Sequence, residues 1–256
     1  MEIIIQSTAE QATANAAGIK SRLVREKPKP VLGLATGSTP QKLYRMLVDM
    51  QLDWQDVVTF NLDEYVGLAP TDENSYRKFM WDHLFDHINI ARKNVNIPSG
   101  EAKNIPQSCS RYERKIRAAG GVDLQVLGIG TEGHIGFNES TSSLASRTRI
   151  KTLTQETRKA NARFFGSYDK VPHHVITMGI GTIMEARQCL LLAFGNKKAR
   201  AVAAMVEGPI TSWVPASALQ MHPRVVVCLD EAAASCLKKA DYYRWTYENK
   251  PDWQRF

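Results

Sequence analysis

Short apolar runs recur along the chain, each separated from the next by a longer amphipathic or polar stretch. Residues 2–5 (EIII), 31–35 (VLGLA), 57–62 (VVTFNL), 122–127 (VDLQVL), 175–178 (VITM), 189–194 (CLLLAF) and 225–229 (VVVCL) read as buried strands. The intervals read as helices. Ser7 and Glu10 form a capping box that starts a helix running to about Arg25, which Pro28 and Pro30 end. Thr39 caps a helix over QKLYRMLVDM, with Pro40 in its first position. Further helices are predicted over 75–85, over 107–118 (Tyr112, Ile116 and Cys109 facing inward), after a Thr182 cap, after Gly195, over 213–221, and from Asp230 to about Tyr247. Residues 92–105 read as a connecting loop. Strands alternating with helices in this way predict an α/β fold: three α/β/α layers around a Rossmann-like, mainly parallel sheet of about seven strands. No repeat or linker divides the chain, so residues 1–256 are expected to form one domain.

Composition narrows the classes of function. No apolar run approaches the roughly 18 residues of a membrane span. The N-terminus has no basic stretch before its apolar run, so no signal peptide is expected and the cytoplasm is the default compartment. The formal net charge is +7. Its lysines and arginines are dispersed, which argues against nucleic acid as a partner and leaves single cations available for an anionic ligand. Cys109, Cys189, Cys228 and Cys236 lie far apart and make no C-x-x-C pair, so neither a metal site nor a disulfide framework is indicated.

The chemistry concentrates where strands end. The run 122–127 breaks into a loop holding Gly128, Gly130 and Gly133, with Glu132, His134 and Glu139 close behind. Ligands of open α/β sheets sit beyond the carboxyl ends of strands, and an imidazole among carboxylates moves protons near neutral pH. The glycines match G-x-G-x-x-G, but the continuation HIGFNESTSS is not helical and no acidic residue ends the next strand, so a dinucleotide site is not predicted. The turn Gly37-Ser38-Thr39 before a helix suits an anion, because free N–H groups and the helix dipole point at it. Its spacing is not that of a Walker A loop. Asp63 ends the third strand, where a general base is well placed. Lys198 opens a helix against the dipole, an arrangement explained if it grips an anion. The polar stretch 140–163 offers Ser142, Ser143, Arg149, Lys151, Arg158 and Arg163, and residues 140–170 are the candidate lid.

Seven motifs, taken together and in order, resemble the bacterial glucosamine-6-phosphate deaminase family: ATGSTP (35–40), FNLDEYVGL (60–68), GIGTEGHIGFNES (128–140), SSLASRTRIKTLT (142–154), NARFF (161–165), TMGIGTIMEA (177–186) and EGPITSWVPASALQMH (207–222). The resemblance implies conversion of glucosamine 6-phosphate and water to fructose 6-phosphate and ammonia, without a cofactor or metal. It implies that His134 opens the sugar ring with Glu139 as its carboxylate partner, that Asp63 is the enolisation base, and that Gly37, Ser38, Thr39, Arg163 and Lys198 hold the phosphate. Some members are hexamers activated by N-acetylglucosamine 6-phosphate at a subunit interface. The matching positions are Ser142, Arg149, Lys151, Thr152 and Tyr243, so a homo-oligomer, hexameric by resemblance, is expected.

Glu132 departs from the family pattern, which most often has Asp there and sometimes Asn. The extra methylene is expected to weaken its support of His134, since a displacement on the order of 1 Å costs roughly 10²-fold in rate. Two alternatives are a 6-phosphogluconolactonase-type hydrolase, which has no need of a base at Asp63, and a non-catalytic sugar-phosphate sensor, which would carry a DNA-binding module that this chain lacks room for.

Overall fold

The computed structural model describes residues 1–254. In chain order the elements are β1 (Glu2–Gln6), α1 (Ala9–Glu26), β2 (Val31–Leu34), α2 (Ser38–Asp49), β3 (Val58–Asn61), β4 (Asp63–Tyr65), α3 (Tyr76–His83), β5 (Val95–Asn96), α4 (Ile105–Ala118), β6 (Leu124–Gly128), β7 (Arg149–Thr152), α5 (Gln155–Phe165), β8 (His174–Thr177), α6 (Ile180–Met184), β9 (Gln188–Ala193), α7 (Ala199–Glu207), β10 (Val225–Asp230), α8 (Glu231–Ala234) and α9 (Ala240–Glu248). Seven strands form one parallel sheet in the order β1-β10-β9-β6-β2-β3-β5, flanked by helices. Its central strands are almost wholly apolar and buried, as expected when both faces are covered. A second, antiparallel sheet runs β4-β8-β7. It has its own apolar cluster of Tyr65, Phe137, Leu153, Phe165, Val171 and Val175.

The fold class and the seven-stranded sheet agree with the sequence, but the membership of the sheet differs. The run 175–178 does not join the parallel sheet; it becomes β8, the middle of the small one. Its place in the count is taken by β5, two residues inside the expected 92–105 loop. The polar stretch 140–163 hides both β7 and α5. Only alternate residues of β7 are even half-buried, so its hydrophobic signal is weak. Three caps also move. Thr8, not Ser7, caps α1: its hydroxyl accepts from the Gln11 N–H at 3.2 Å, while Ser7 turns to the Gln11 side chain. Gly37, at φ 116°, replaces Thr39 ahead of α2, a conformation that only glycine adopts readily. Gly179 precedes α6, and Thr182 lies inside it, donating to Glu113 at 2.7 Å. The expected final helix is broken into α8 and α9. Between them, the Glu207 carboxylate accepts the N–H groups of Lys238 and Lys239, both at 2.9 Å. The tail begins with a short 3-10 turn, and Arg255 and Phe256 lie outside the described residues.

One buried carboxylate ties α4 to α6 and to the segment that enters β7. Glu113, on α4, accepts from the Thr148 N–H (2.8 Å), from the hydroxyls of Thr148 and Thr182, and from Arg147 (2.6 Å). Burial pushes its pKa up, but these donors outweigh burial and hold it below the ordinary value. A carboxyl whose pKa is depressed in the folded state stabilises above its unfolded pKa and loses that contribution as pH falls. Glu113→Ala should therefore cost about 2–4 kcal/mol at pH 7. In thermal unfolding, the gap to the wild-type chain should narrow as the pH falls below 4.5.

Candidate active site

The order of the parallel sheet reverses between β2 and β6: the chain proceeds outward from β2 through β3, and from β6 the other way through β9 and β10. A crevice opens at the carboxyl ends of such a pair. The 36–39 turn follows one strand and the 129–139 loop the other, so the two segments singled out from the sequence lie at the carboxyl ends of neighbouring strands.

Three glycines shape the second loop. A Cβ on Gly130 would lie 2.1 Å from Cε1 of His134, so the imidazole lies flat against the Gly130 backbone. The Gly130 N–H donates to the His134 carbonyl at 2.9 Å and closes the turn. Gly133 (φ 81°) leaves room for Val214, whose Cγ1 would be 2.6 Å from an added Cβ. At Gly136 (φ 57°) the same atom would meet Oγ1 of Thr177 at 3.0 Å and Oδ2 of Asp63 at 3.6 Å, which places this loop beside Asp63. The Asn138 amide fixes the turn by donating to the carbonyls of Ile135 (3.0 Å) and Met178 (2.8 Å).

The electrostatics of the site are those of a receptor for an anion. Burial, then the nearby Lys198 charge, push His134 down to about 4, so its imidazole is neutral at pH 7. Burial and the charge of Arg163 also lower Lys198. Arg163, Lys198 and His134 are thus gathered without a counter-charge: among the described residues, neither Arg163 nor Lys198 forms an ion pair. The start of α2 has no side-chain cap, and its first turn carries no acidic residue. Gly37, Ser38 and Thr39 therefore present unsatisfied N–H groups there.

Asp63 is the first residue of β4 and is 4% exposed. Its Oδ1 has no hydrogen-bond partner. Burial, then the charge of Glu64, push its carboxyl up to about 8, against a bond from Thr36 that lowers it. A carboxyl near neutrality can exist as free base and can also hold a proton.

Other expected residues are placed differently. The buried Glu139 carboxylate accepts from the N–H (3.0 Å) and the hydroxyl (3.1 Å) of Thr154; no hydrogen bond joins it to His134. Glu132 is exposed and has no bond to His134. Ser142 is buried, with its hydroxyl unpartnered. Arg149 is half-buried and donates to Oδ1 of Asn138 at 2.8 Å. Its neighbours on β7 are Lys151, half-buried, and Thr152, exposed. The Tyr243 hydroxyl, on α9, donates to Glu207 instead of joining the β7 set. The cysteines are all free. Among the described residues, no cluster of His, Cys, Asp and Glu suits a metal ion, and no helix is long and apolar enough to cross a membrane.

Sequence reasoning missed Thr36, Glu64, Tyr76 and Thr154. Thr154 was recoverable: it caps α5, and Gly166 (φ 76°) stops that helix, a start–stop pair visible in the letters.

Fold and site define an α/β protein in which unpaired cations, a neutral imidazole and a buried carboxyl lie at one end of the parallel sheet. A family model described as glucosamine-6-phosphate isomerases/6-phosphogluconolactonase matches residues 5–227, and the chain belongs to that family. It is 55% identical to the glucosamine-6-phosphate deaminase of Arthrobacter sp. (strain FB24), over 99% of each chain. It is 50% identical to that of Rhodococcus jostii (strain RHA1), over 100% of each. Among solved structures, a monomeric glucosamine-6-phosphate deaminase superposes with a TM-score of 0.91 at 45% identity, covering 92% of this chain and 100% of that one. A 6-phosphogluconolactonase from Thermotoga maritima superposes at 0.71 with 21% identity, a likeness of fold alone.

An anion that settles between Arg163 and Lys198 would offset the Lys198 charge, the smaller of the two causes that depress His134. An NMR titration should place the His134 midpoint well below the ordinary histidine value in phosphate-free buffer. Saturating inorganic phosphate should raise it.

Proposed function

We propose that the chain is a glucosamine-6-phosphate deaminase, which converts D-glucosamine 6-phosphate and water to D-fructose 6-phosphate and ammonia in amino-sugar catabolism. The observation that carries the reading is the pairing, at one end of the parallel sheet, of a neutral His134 with a buried, proton-retentive Asp63 beside unpaired cations. The full-length relatives at 50–55% identity support it.

The chemistry follows from those states. Gly37, Ser38 and Thr39 with Arg163 and Lys198 take the phosphate through charge-assisted bonds. His134, uncharged, accepts the proton of the anomeric hydroxyl and returns one to the ring oxygen, which opens the ring. Asp63 then removes the proton on C2; the electrons form the C1–C2 double bond while the π electrons of the C1 carbonyl move onto O1, which takes a proton from solvent. Reprotonation at C1 leaves an imine at C2, and water releases ammonia from it. Glu139 serves the ring-opening step through the loop it braces against Thr154. Glu132, exposed, contributes less directly. No cofactor takes part in this scheme, and a soluble phosphosugar substrate fits a cytoplasmic enzyme.

The lactonase alternative has weaker support, since the lactonases of similar fold are far less identical and their reaction needs no base at Asp63. The hexamer and its activator remain a second reading. The 45% identical structure is of a monomeric deaminase, and Ser142 is buried within this chain; both favour a monomer without the activator response. Hyperbolic kinetics, unchanged by N-acetylglucosamine 6-phosphate, and a monomer mass in light scattering are expected. A sigmoidal curve straightened by that sugar would restore the regulated hexamer.

The direct test is ammonia release from glucosamine 6-phosphate with fructose 6-phosphate followed in parallel. Equal molar yields are expected, and Asp63→Asn should lower the rate at least about 10³-fold. The same variant reports the cost of the base. A carboxyl raised in the folded state contributes stability below its unfolded pKa and loses it as the pH rises through the folded one. Asp63→Asn should therefore melt above the wild-type chain at pH 8, with the difference vanishing toward pH 4.

A further inference from the structure

Next to Asp63 lies a second buried carboxylate with no step of its own in that scheme. Glu64 is 3% exposed. Its Oε1 accepts the N–H groups of Tyr65 (2.8 Å) and Tyr76 (2.9 Å), and its Oε2 accepts that of Arg77 (2.9 Å). Tyr76 and Arg77 are the first two residues of α3, whose N–H groups have no partner within the helix. Ser75 caps the next position by accepting from the Lys78 N–H at 3.0 Å. A negative charge at a helix N-terminus is favoured by the dipole.

The helix start fixed in this way reaches the rest of the site through rings. Tyr76 stacks on Phe137 of the histidine loop, 6.0 Å apart and 9° from parallel. It meets Tyr65 edge-on at 5.0 Å. The Tyr65 hydroxyl in turn accepts the amide of Asn161, on α5, at 3.1 Å.

We propose that Glu64 is a positioning residue for the base: its carboxylate clamps the first turn of α3 to β4, and so holds Asp63 and the Tyr76–Phe137 stack in one geometry. The proposal rests on the deaminase reading for the identity of the base, not for the clamp itself. Charge supports it. Asp63 is faced by Glu64 on its own strand, by Tyr44 from α2, Tyr65 from β4, Tyr76 from α3 and Tyr112 from α4, and by the Thr36 hydroxyl. The tyrosines are all raised by burial and stay neutral, which leaves Glu64 as the neighbour whose charge raises Asp63. Burial raises Glu64 as well, and the three N–H donors and the Arg77 charge offset that rise only in part.

The test is the pH profile of kcat/KM for the wild-type enzyme and for Glu64→Gln, which keeps the shape, removes the charge and turns an N–H group toward Arg77. The acid limb should move down by about one pH unit. kcat should fall about 10- to 100-fold with KM nearly unchanged, as expected for a misplaced base. An unchanged limb together with an unchanged kcat overturns the proposal. Should Glu64→Gln not fold, amide NMR of the wild-type protein decides: the Tyr76 and Arg77 N–H resonances should titrate with the midpoint of the rate profile, and flat resonances overturn the clamp. If the wild-type chain releases no ammonia, the deaminase reading fails, while those amides still report whether Glu64 couples α3 to Asp63.

Discussion

A carboxyl group kept nearly dry at the seam between two sheets is the constraint on which this molecule turns. β3 leaves the parallel sheet at Asn61, and two residues later Asp63 opens the antiparallel one. The seam is closed by main-chain bonds: the Leu62 N–H donates to the Leu34 carbonyl at 3.0 Å, and the Met178 N–H to the Leu62 carbonyl at 2.6 Å. Water is thereby excluded from Asp63, and the loss of hydration keeps its proton on to an unusual pH. The small sheet is best understood as the wall that makes this possible. It packs Tyr65 and Phe137 around the group while the large sheet supplies the rigid edge.

The second half of the site obeys the opposite logic. His134 is stripped of charge, not of its proton-accepting lone pair, by burial and a lysine close by. Two groups whose ordinary pKa values are a few units apart end up in inverted order, the carboxyl above the imidazole. Environments that push a pair apart in this way divide acid from base. Two glycines set where these groups lie. Gly130 must lack a Cβ for the ring to lie where it does, and Gly136 must adopt a positive φ to bring the loop beside Asp63.

What could be read from the letters follows from how each element is buried. Strands covered on both faces, such as β6, β9 and β10, print continuous apolar runs and were legible. β7 shows only alternate half-buried positions, and β5 is two residues long, so neither carries a period strong enough to detect. β8 was found as a strand, but an apolar run does not say which sheet it joins; that choice is made by its pairing with Asp63–Tyr65. In the site, residues that carry charge at strand ends were legible one by one. Their partners were not: Glu139 goes to Thr154, and Glu64 to the backbone of α3, because hydrogen-bond partners are fixed by tertiary placement.

The unpaired cations at Arg163 and Lys198 have a consequence beyond chemistry. Like charges held together without a counter-ion raise the free energy of the empty folded chain, and an anion that fills the gap binds the folded form alone. By mass action, occupancy then adds to stability in proportion to the logarithm of ligand concentration over its dissociation constant. A ligand anion at this gap would thus stabilise the fold as well as occupy the site. Of two otherwise equal samples of this chain, the one in which such an anion fills the gap would melt at the higher temperature.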